Sequence, residues 1–129
     1  MTVEAAKTKV LDLLSEINRP GIDSVIEFIK TSNYLTTAQC HGHHRREHGL
    51  MMHSLEVLDT MLNCNILGFP RESLIVVALF HDLGKATLNG RKIGRGRHPA
   101  RSIAILKKCG FSLTPQESSA IYSHHPGSD

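Results

Sequence analysis

Leu74-Ile75-Val76-Val77-Ala78-Leu79-Phe80 runs directly into His81-Asp82-Leu83-Gly84-Lys85, and the reading of this stretch decides the fold. The apolar run fits a helix buried on all sides. A buried strand would show the same run, so periodicity alone leaves both open. The flanks favour helix: Pro70 suits a first helical turn, Glu72 sits near the positive end of the macrodipole, and Gly84 makes a C-terminal stop. Such a helix carries an imidazole and a carboxylate at its buried end. A charged carboxylate there is costly unless something pairs with it, and a metal ion beside a neutral imidazole is such a partner.

The rest of the chain supplies candidate co-ligands, because nine histidines occur in 129 residues. The length fits one domain, residues 1–129, large enough to bury one core. The net charge of +3 is too small for general nucleic-acid affinity, though local clusters still matter. Cys40, Cys64 and Cys109 are odd in number and form no Cys-x-x-Cys pair. That opposes a disulfide framework or a cysteine zinc finger and fits a reducing cytoplasm. The N-terminus, with an early acid and no long apolar segment, does not read as a signal peptide. No run approaches the roughly 20 apolar residues of a membrane helix.

Working outward, Ala6, Val10, Leu13, Leu14 and Ile17 follow helical spacing over Ala5–Ile17, and Asn18-Arg19-Pro20-Gly21 ends that helix. A second helix places Ile22, Val25, Ile26 and Ile29 on one face and closes at Ser32-Asn33. These two are expected to pair antiparallel, so that residues 1–33 pack on a metal-binding core of residues 34–129. Tyr34–Gln39 reads either as loop or as one helical turn. Cys40–Gly49 is a polar loop with four histidines, of which His44 is the candidate for a substrate contact. A third helix, about Leu50–Asn63, carries a core stripe of Met51, Leu55, Leu58 and Leu62. His53 lies roughly 160° from Leu55, off that stripe and near Val57 and Met61.

Thr87–Arg97 reads as a loop rich in glycine and base, and no strand is expected anywhere. A fifth helix starts at His98-Pro99 and stops at Gly110. Thr114-Pro115-Gln116-Glu117 is a capping box that opens a sixth. Ala120, Ile121 and His124 share one of its faces, and Pro126 ends it. The expected fold is an all-α bundle of about six helices.

His53, His81, Asp82, His98 and His124 thus sit where helices meet the core or a core-facing loop. Imidazole with carboxylate suits manganese, iron, nickel or zinc, and magnesium less well as histidines accumulate. A carboxylate has two oxygens and can bridge two ions, which together clamp the attacking and leaving oxygens of a phosphoryl displacement. Lys85, Arg91, Lys92, Arg95, Arg97 and Arg101 suit an anionic substrate, since guanidinium groups match phosphate oxygens two at a time.

The order His53 … His81-Asp82 … His98 … His124-His125 resembles the HD-domain superfamily of metal-dependent phosphohydrolases. Gly49-Leu50-Met51-Met52-His53-Ser54-Leu55 is similar to the segment around that family's first histidine, and Ala78–Lys85 to its His-Asp motif. The His43-His44 pair and Gly49 bring it nearest to HD domains of exoribonuclease and relaxase-associated type. The likeness spans about Tyr34–His125. It implies an HD-type helical bundle in which His53, His81 and Asp82 hold one divalent ion and His98 with His124 or His125 a second. Beside that likeness, Asp82 and Lys85 are the expected catalytic residues, and the basic residues themselves point to Lys85, Arg91, Arg95 and Arg97, with His44, facing a phosphate ester or phosphodiester of a nucleotide or short nucleic acid. The family's usual final aspartate has no counterpart. Asp129 follows His125 too closely, so the chain is a shortened piece, a terminal group substitutes, or the site is incomplete. The rival expectations are a metal-binding interaction module without catalysis and, in third place, a di-iron oxygenase.

Overall fold

The computed structural model describes residues 2–35, 49–64 and 68–123. The expectations placed on residues 36–39, on the Cys40–His48 loop with His44, and on His124 and His125 fall outside the described residues. Six α-helices are described: α1 (Val3–Leu14), α2 (Ile22–Thr31), α3 (Gly49–Asn63), α4 (Arg71–Phe80), α5 (His98–Lys108) and α6 (Pro115–Ser123). The fold is all-α, as its apolar spacing predicts.

Helix α4 is the centre. Every residue from Leu74 to Phe80 is buried, because α1, α3 and α6 all pack against it. Pro70 stands one position outside the helix as its N-cap rather than within the first turn. A 3-10 turn, Leu83–Lys85, follows α4 and packs closely on α5. Helix α1 makes its main contacts with α3 and α4, through Ala6, Val10, Leu13 and Leu14. It ends three residues before Ile17, where i→i+3 bonds from Glu16 and Ile17 tighten the chain, yet Ile17 stays buried. On α3 the buried residues are Met51, Ser54 and Leu58. Of the stripe read from the sequence, Leu55 is half-buried and Leu62 exposed.

Two terminators behave as their sequences predict. Gly110 takes φ 76°, and the bonds Phe111 N–H to Leu106 O (2.9 Å) and Gly110 N–H to Lys107 O (3.0 Å) close α5 in a Schellman motif. At α6 both arms of the capping box form: Thr114 Oγ1 accepts from Glu117 N–H (3.1 Å) and Glu117 Oε1 from Thr114 N–H (3.0 Å).

Two other expectations are corrected. Thr87–Leu88 (β1) and Arg91–Lys92 (β2) form a short antiparallel hairpin where a plain loop was expected. Its signal was the Asn89-Gly90 pair. Both residues take positive φ, 54° and 79°, as a two-residue type I′ turn requires. Gly84 is not among the residues of positive φ, so it does not stop α4 as a left-handed cap. It is there because α5 comes too close for a side chain. A Cβ at Gly84 would run into the His98 carbonyl oxygen and lie 2.8 Å from Arg101 Cβ.

The far end of α4 is tied by a buried carboxylate. Glu117 is fully buried and accepts both guanidinium arms of Arg19 (2.7 and 2.6 Å) and Ser73 Oγ–H (2.6 Å). Arg19 also donates to Glu72 (2.9 Å), so the α1–α2 connection, the start of α4 and α6 meet at one point. Burial pushes the Glu117 carboxyl up, but the bonds from Arg19, Ser73 and the Thr114 N–H outweigh it and hold the group below the usual range. A depressed folded value means that this stability is complete above the unfolded carboxyl value of about 4.3 and is lost as pH falls through the folded value. Glu117→Gln should therefore lower stability at pH 7 by about 3 kcal/mol, in the range for breaking a buried pair. It should also flatten the loss of stability between about pH 5 and pH 3. Urea unfolding followed by circular dichroism across that range checks both effects.

Candidate metal centre

His81 caps α4 in right-handed helical conformation, and Asp82 then leaves the helix at φ −108°, ψ 20°. On a regular helix two adjacent side chains diverge by about 100°. The break at Asp82 lets them converge instead: His81 Nε2 lies 3.2 Å from Asp82 Oδ2. From α3, His53 Nε2 reaches the same oxygen at 3.3 Å. From the first residue of α5, His98 Nε2 meets the other oxygen, Oδ1, at 3.1 Å. Lys85 Nζ stands 3.6 Å from Oδ2. Asp82 is fully buried, His81 and His98 nearly so, while His53 and Lys85 are about half exposed. The site is therefore a buried carboxylate with one open side.

The electrostatics are one-sided. Burial pushes the Asp82 carboxyl up, and the hydrogen bonds from His53 and His81 and the charge of Lys85 more than reverse this, holding it well below the usual carboxylate range. His81 Nδ1 sits 2.8 Å from the Ala78 carbonyl oxygen. A carbonyl only accepts, so Nδ1 carries a hydrogen, and it is Nε2 that faces Asp82. Two electron-rich atoms at 3.2 Å require positive charge on or between them, either a proton on Nε2 or a cation. Ring orientation by a carbonyl on the remote nitrogen is the usual support of a metal-ligating histidine. The ligand atoms of His53, His81 and Asp82 all lie within 4.8 Å of one another. One ion with bonds of about 2.0–2.2 Å spans up to about 4.4 Å between opposite ligands, so this donor set fits a metal ion with little contraction.

Three supporting side chains carry no sequence signal of a structural role. Tyr34, fully buried, donates to the Leu79 carbonyl at 2.7 Å and lies 3.0 Å from Ser54 Oγ. It links the residue after His53 to α4 two residues before His81. Ser102 Oγ accepts from the Gly84 N–H at 2.7 Å and lies 3.0 Å from the carbonyl oxygens of both His81 and His98. Arg101, grouped from sequence with the phosphate-facing cations, is instead buried. Its guanidinium donates to the carbonyls of Gly84 (3.0 Å) and Gly96. It holds backbone.

Of the residues expected at the site, the structure gathers His53, His81, Asp82, Lys85 and His98. Arg91, Arg95 and Arg97 lie on β2 and the loop after it, all exposed. They are not among the ion-pair partners described for Asp82. No helix among the described residues is long and apolar enough to cross a membrane. Comparison with protein-family models, curated proteins and solved structures finds no match.

The close approach at Gly84 has a measurable consequence. Gly84→Ala should cost more than about 2 kcal/mol, the range for overpacking, because backbone rather than a flexible side chain blocks the new methyl group. A glycine serving only as a left-handed helix terminator would cost about 1–2 kcal/mol on the same change. Ser102→Ala should cost about 1–3 kcal/mol by leaving the buried Gly84 N–H without its acceptor. Thermal and urea unfolding of both variants measure these costs.

Proposed function

We propose that this chain is an HD-type metal-dependent phosphohydrolase acting on a phosphate ester or phosphodiester of a nucleotide or oligonucleotide. The observation that carries the reading is the division of labour at Asp82. One carboxylate oxygen meets His53 and His81, and the other meets His98. That arrangement suits a carboxylate shared between one ion held by His53, His81 and Asp82 and a second on the His98 side. The resemblance of the ordered histidines to the HD superfamily points the same way, and it implies His124 or His125 as a co-ligand of His98. The nitrogen-rich donor set favours manganese, iron, nickel or zinc over magnesium.

Divalent ions held here would supply Lewis acidity towards phosphoryl oxygens and ease the deprotonation of water. The protein's own groups do the rest. Asp82 contributes a buried negative charge that binds cations in preference to anions. His81 is locked in the ligating tautomer by Ala78, so binding requires no rotamer search. His53 stands at the open side, where a substrate enters. Lys85, tethered at 3.6 Å from Asp82 and half exposed, offers its ammonium group to an incoming phosphate.

Elemental analysis of protein purified without chelator should find one or two divalent ions per chain. His81→Ala and Asp82→Ala should lose most of that metal and all turnover. With manganese added, the wild type should hydrolyse at least one member of a panel of mononucleotides, dinucleotides and short oligonucleotides. Metal binding without turnover across the panel would favour a non-catalytic metal-binding module, and iron-dependent oxygen uptake would favour an oxygenase.

A further inference from the structure

Between Asp82 and Glu117 the sequence contains no acidic residue, while Lys85, Arg91, Lys92, Arg95 and Arg97 crowd its first part. Eight of the 15 Lys and Arg residues lie in this interval, leaving seven to set against all 12 Asp and Glu in the rest of the chain. The net charge of +3 therefore conceals a strong internal asymmetry. Arg91 and Lys92 form β2, and Arg95 and Arg97 alternate with the positive-φ glycines Gly94 and Gly96 in the loop that leads into α5. All four side chains are exposed.

This basic segment is anchored on both sides. At its start, Asn33 N–H donates to the Thr87 carbonyl (3.1 Å) and Asn33 Oδ1 accepts from Thr87 N–H (2.8 Å), pinning β1 to the end of α2. The Asn89-Gly90 turn then fixes the hairpin. At its end, Arg101 grips the Gly96 carbonyl between Arg95 and Arg97 with one arm. With another it holds Gly84, two residues past Asp82. A Cβ at Gly94 would stand 3.6 Å from Arg101 Cγ, so the loop lies along that side chain. One buried guanidinium thus sets the exposed basic segment in register with the metal centre.

We propose that the hairpin and loop of residues 91–97 are a docking strip for the phosphodiester backbone of a nucleic acid, with Arg101 as its positioning residue. A single phosphate at the metal centre needs only Lys85. Four more exposed cations on an anchored segment suit a chain of phosphates that continues away from the site. No Phe, Tyr or Trp occurs between Phe80 and Phe111, so the strip offers no base-stacking platform. It reads charge spacing and not sequence, and DNA and RNA should bind alike. For its chemistry this deepens the proposed function by naming the substrate class, but the binding itself needs no metal.

The test is fluorescence anisotropy of the full chain with a labelled 12-nucleotide single strand, as RNA and as DNA, in EDTA. Binding without metal is independent of whether the centre hydrolyses anything. We expect micromolar affinity at low salt and a log–log salt slope of roughly −2 to −3, from about four phosphate contacts on a single strand. A labelled dinucleotide should bind at least tenfold more weakly. The variant carrying Arg91→Ala, Lys92→Ala, Arg95→Ala and Arg97→Ala, all at exposed positions, should lose at least tenfold in affinity with an unchanged unfolding midpoint. Arg101→Lys keeps the charge but loses the two-carbonyl grip. Its salt slope should stay near that of the wild type while the advantage of the 12-mer over the dinucleotide shrinks. No binding up to about 100 µM protein at low salt, or equal binding by wild type and the fourfold variant, overturns the proposal. Equal or tighter binding of poly-glutamate, or salt-sensitive self-association that the fourfold variant abolishes, would assign the strip to an acidic protein or a second copy instead.

Discussion

The buried carboxylate of Asp82 is the constraint on which the arrangement depends. It stands at the end of the most apolar segment in the chain, where an isolated negative charge is strongly disfavoured. Three imidazole nitrogens and an ammonium group converge on its two oxygens, and they arrive from α3, from the turn after α4 and from the start of α5. To satisfy that one group, three segments must hold their relative positions to within a fraction of an ångström. The fully buried Tyr34 and Ser102 and the nearly buried Arg101 do this by bonding to backbone at or near the histidines rather than to their imidazole rings.

The same helix carries a second polar cluster at its other end. Near its N-terminus Glu72 and Ser73 join Arg19 and Glu117, and at its C-terminus His81 and Asp82 join His53 and His98. The apolar middle supplies burial without direction, whereas each polar end supplies direction, since charge-assisted hydrogen bonds tolerate little displacement. The two ends differ in composition. Glu117 meets an arginine whose charge is permanent, which suits a fixed tie. Asp82 meets imidazoles, whose nitrogens can share a metal ion with the carboxylate.

Much of this was legible in the residues. The apolar run, the Thr114 capping box, the Gly110 terminator and the helical spacing of α1 and α2 are local signals, and each has its counterpart in the structure. The grouping of His53, His81, Asp82, Lys85 and His98 was legible because histidine and buried carboxylate are rare enough at core-facing positions to stand out. The hairpin was also local, in Asn89-Gly90, but its strands of two residues are too short to show alternation. Gly84 was misread because a glycine after a helix has two explanations, conformational freedom and lack of volume, and only the neighbouring helix shows which one applies.

What the sequence determined by itself is the set of helices, the placement of α4 in the core and the identity of the residues with ligand chemistry, since these follow from short-range periodicity and side-chain type. What only the tertiary structure decided is which oxygen of Asp82 each histidine meets, that Arg101 is a buried strut while Arg91, Arg95 and Arg97 are exposed, and that Tyr34 and Ser102 hold the centre in place. Those facts depend on contacts between residues far apart in the chain. A tyrosine, a serine or an arginine has the same local appearance whether it faces solvent or closes a hydrogen bond in the core, and only the packing of the helices selects between the two.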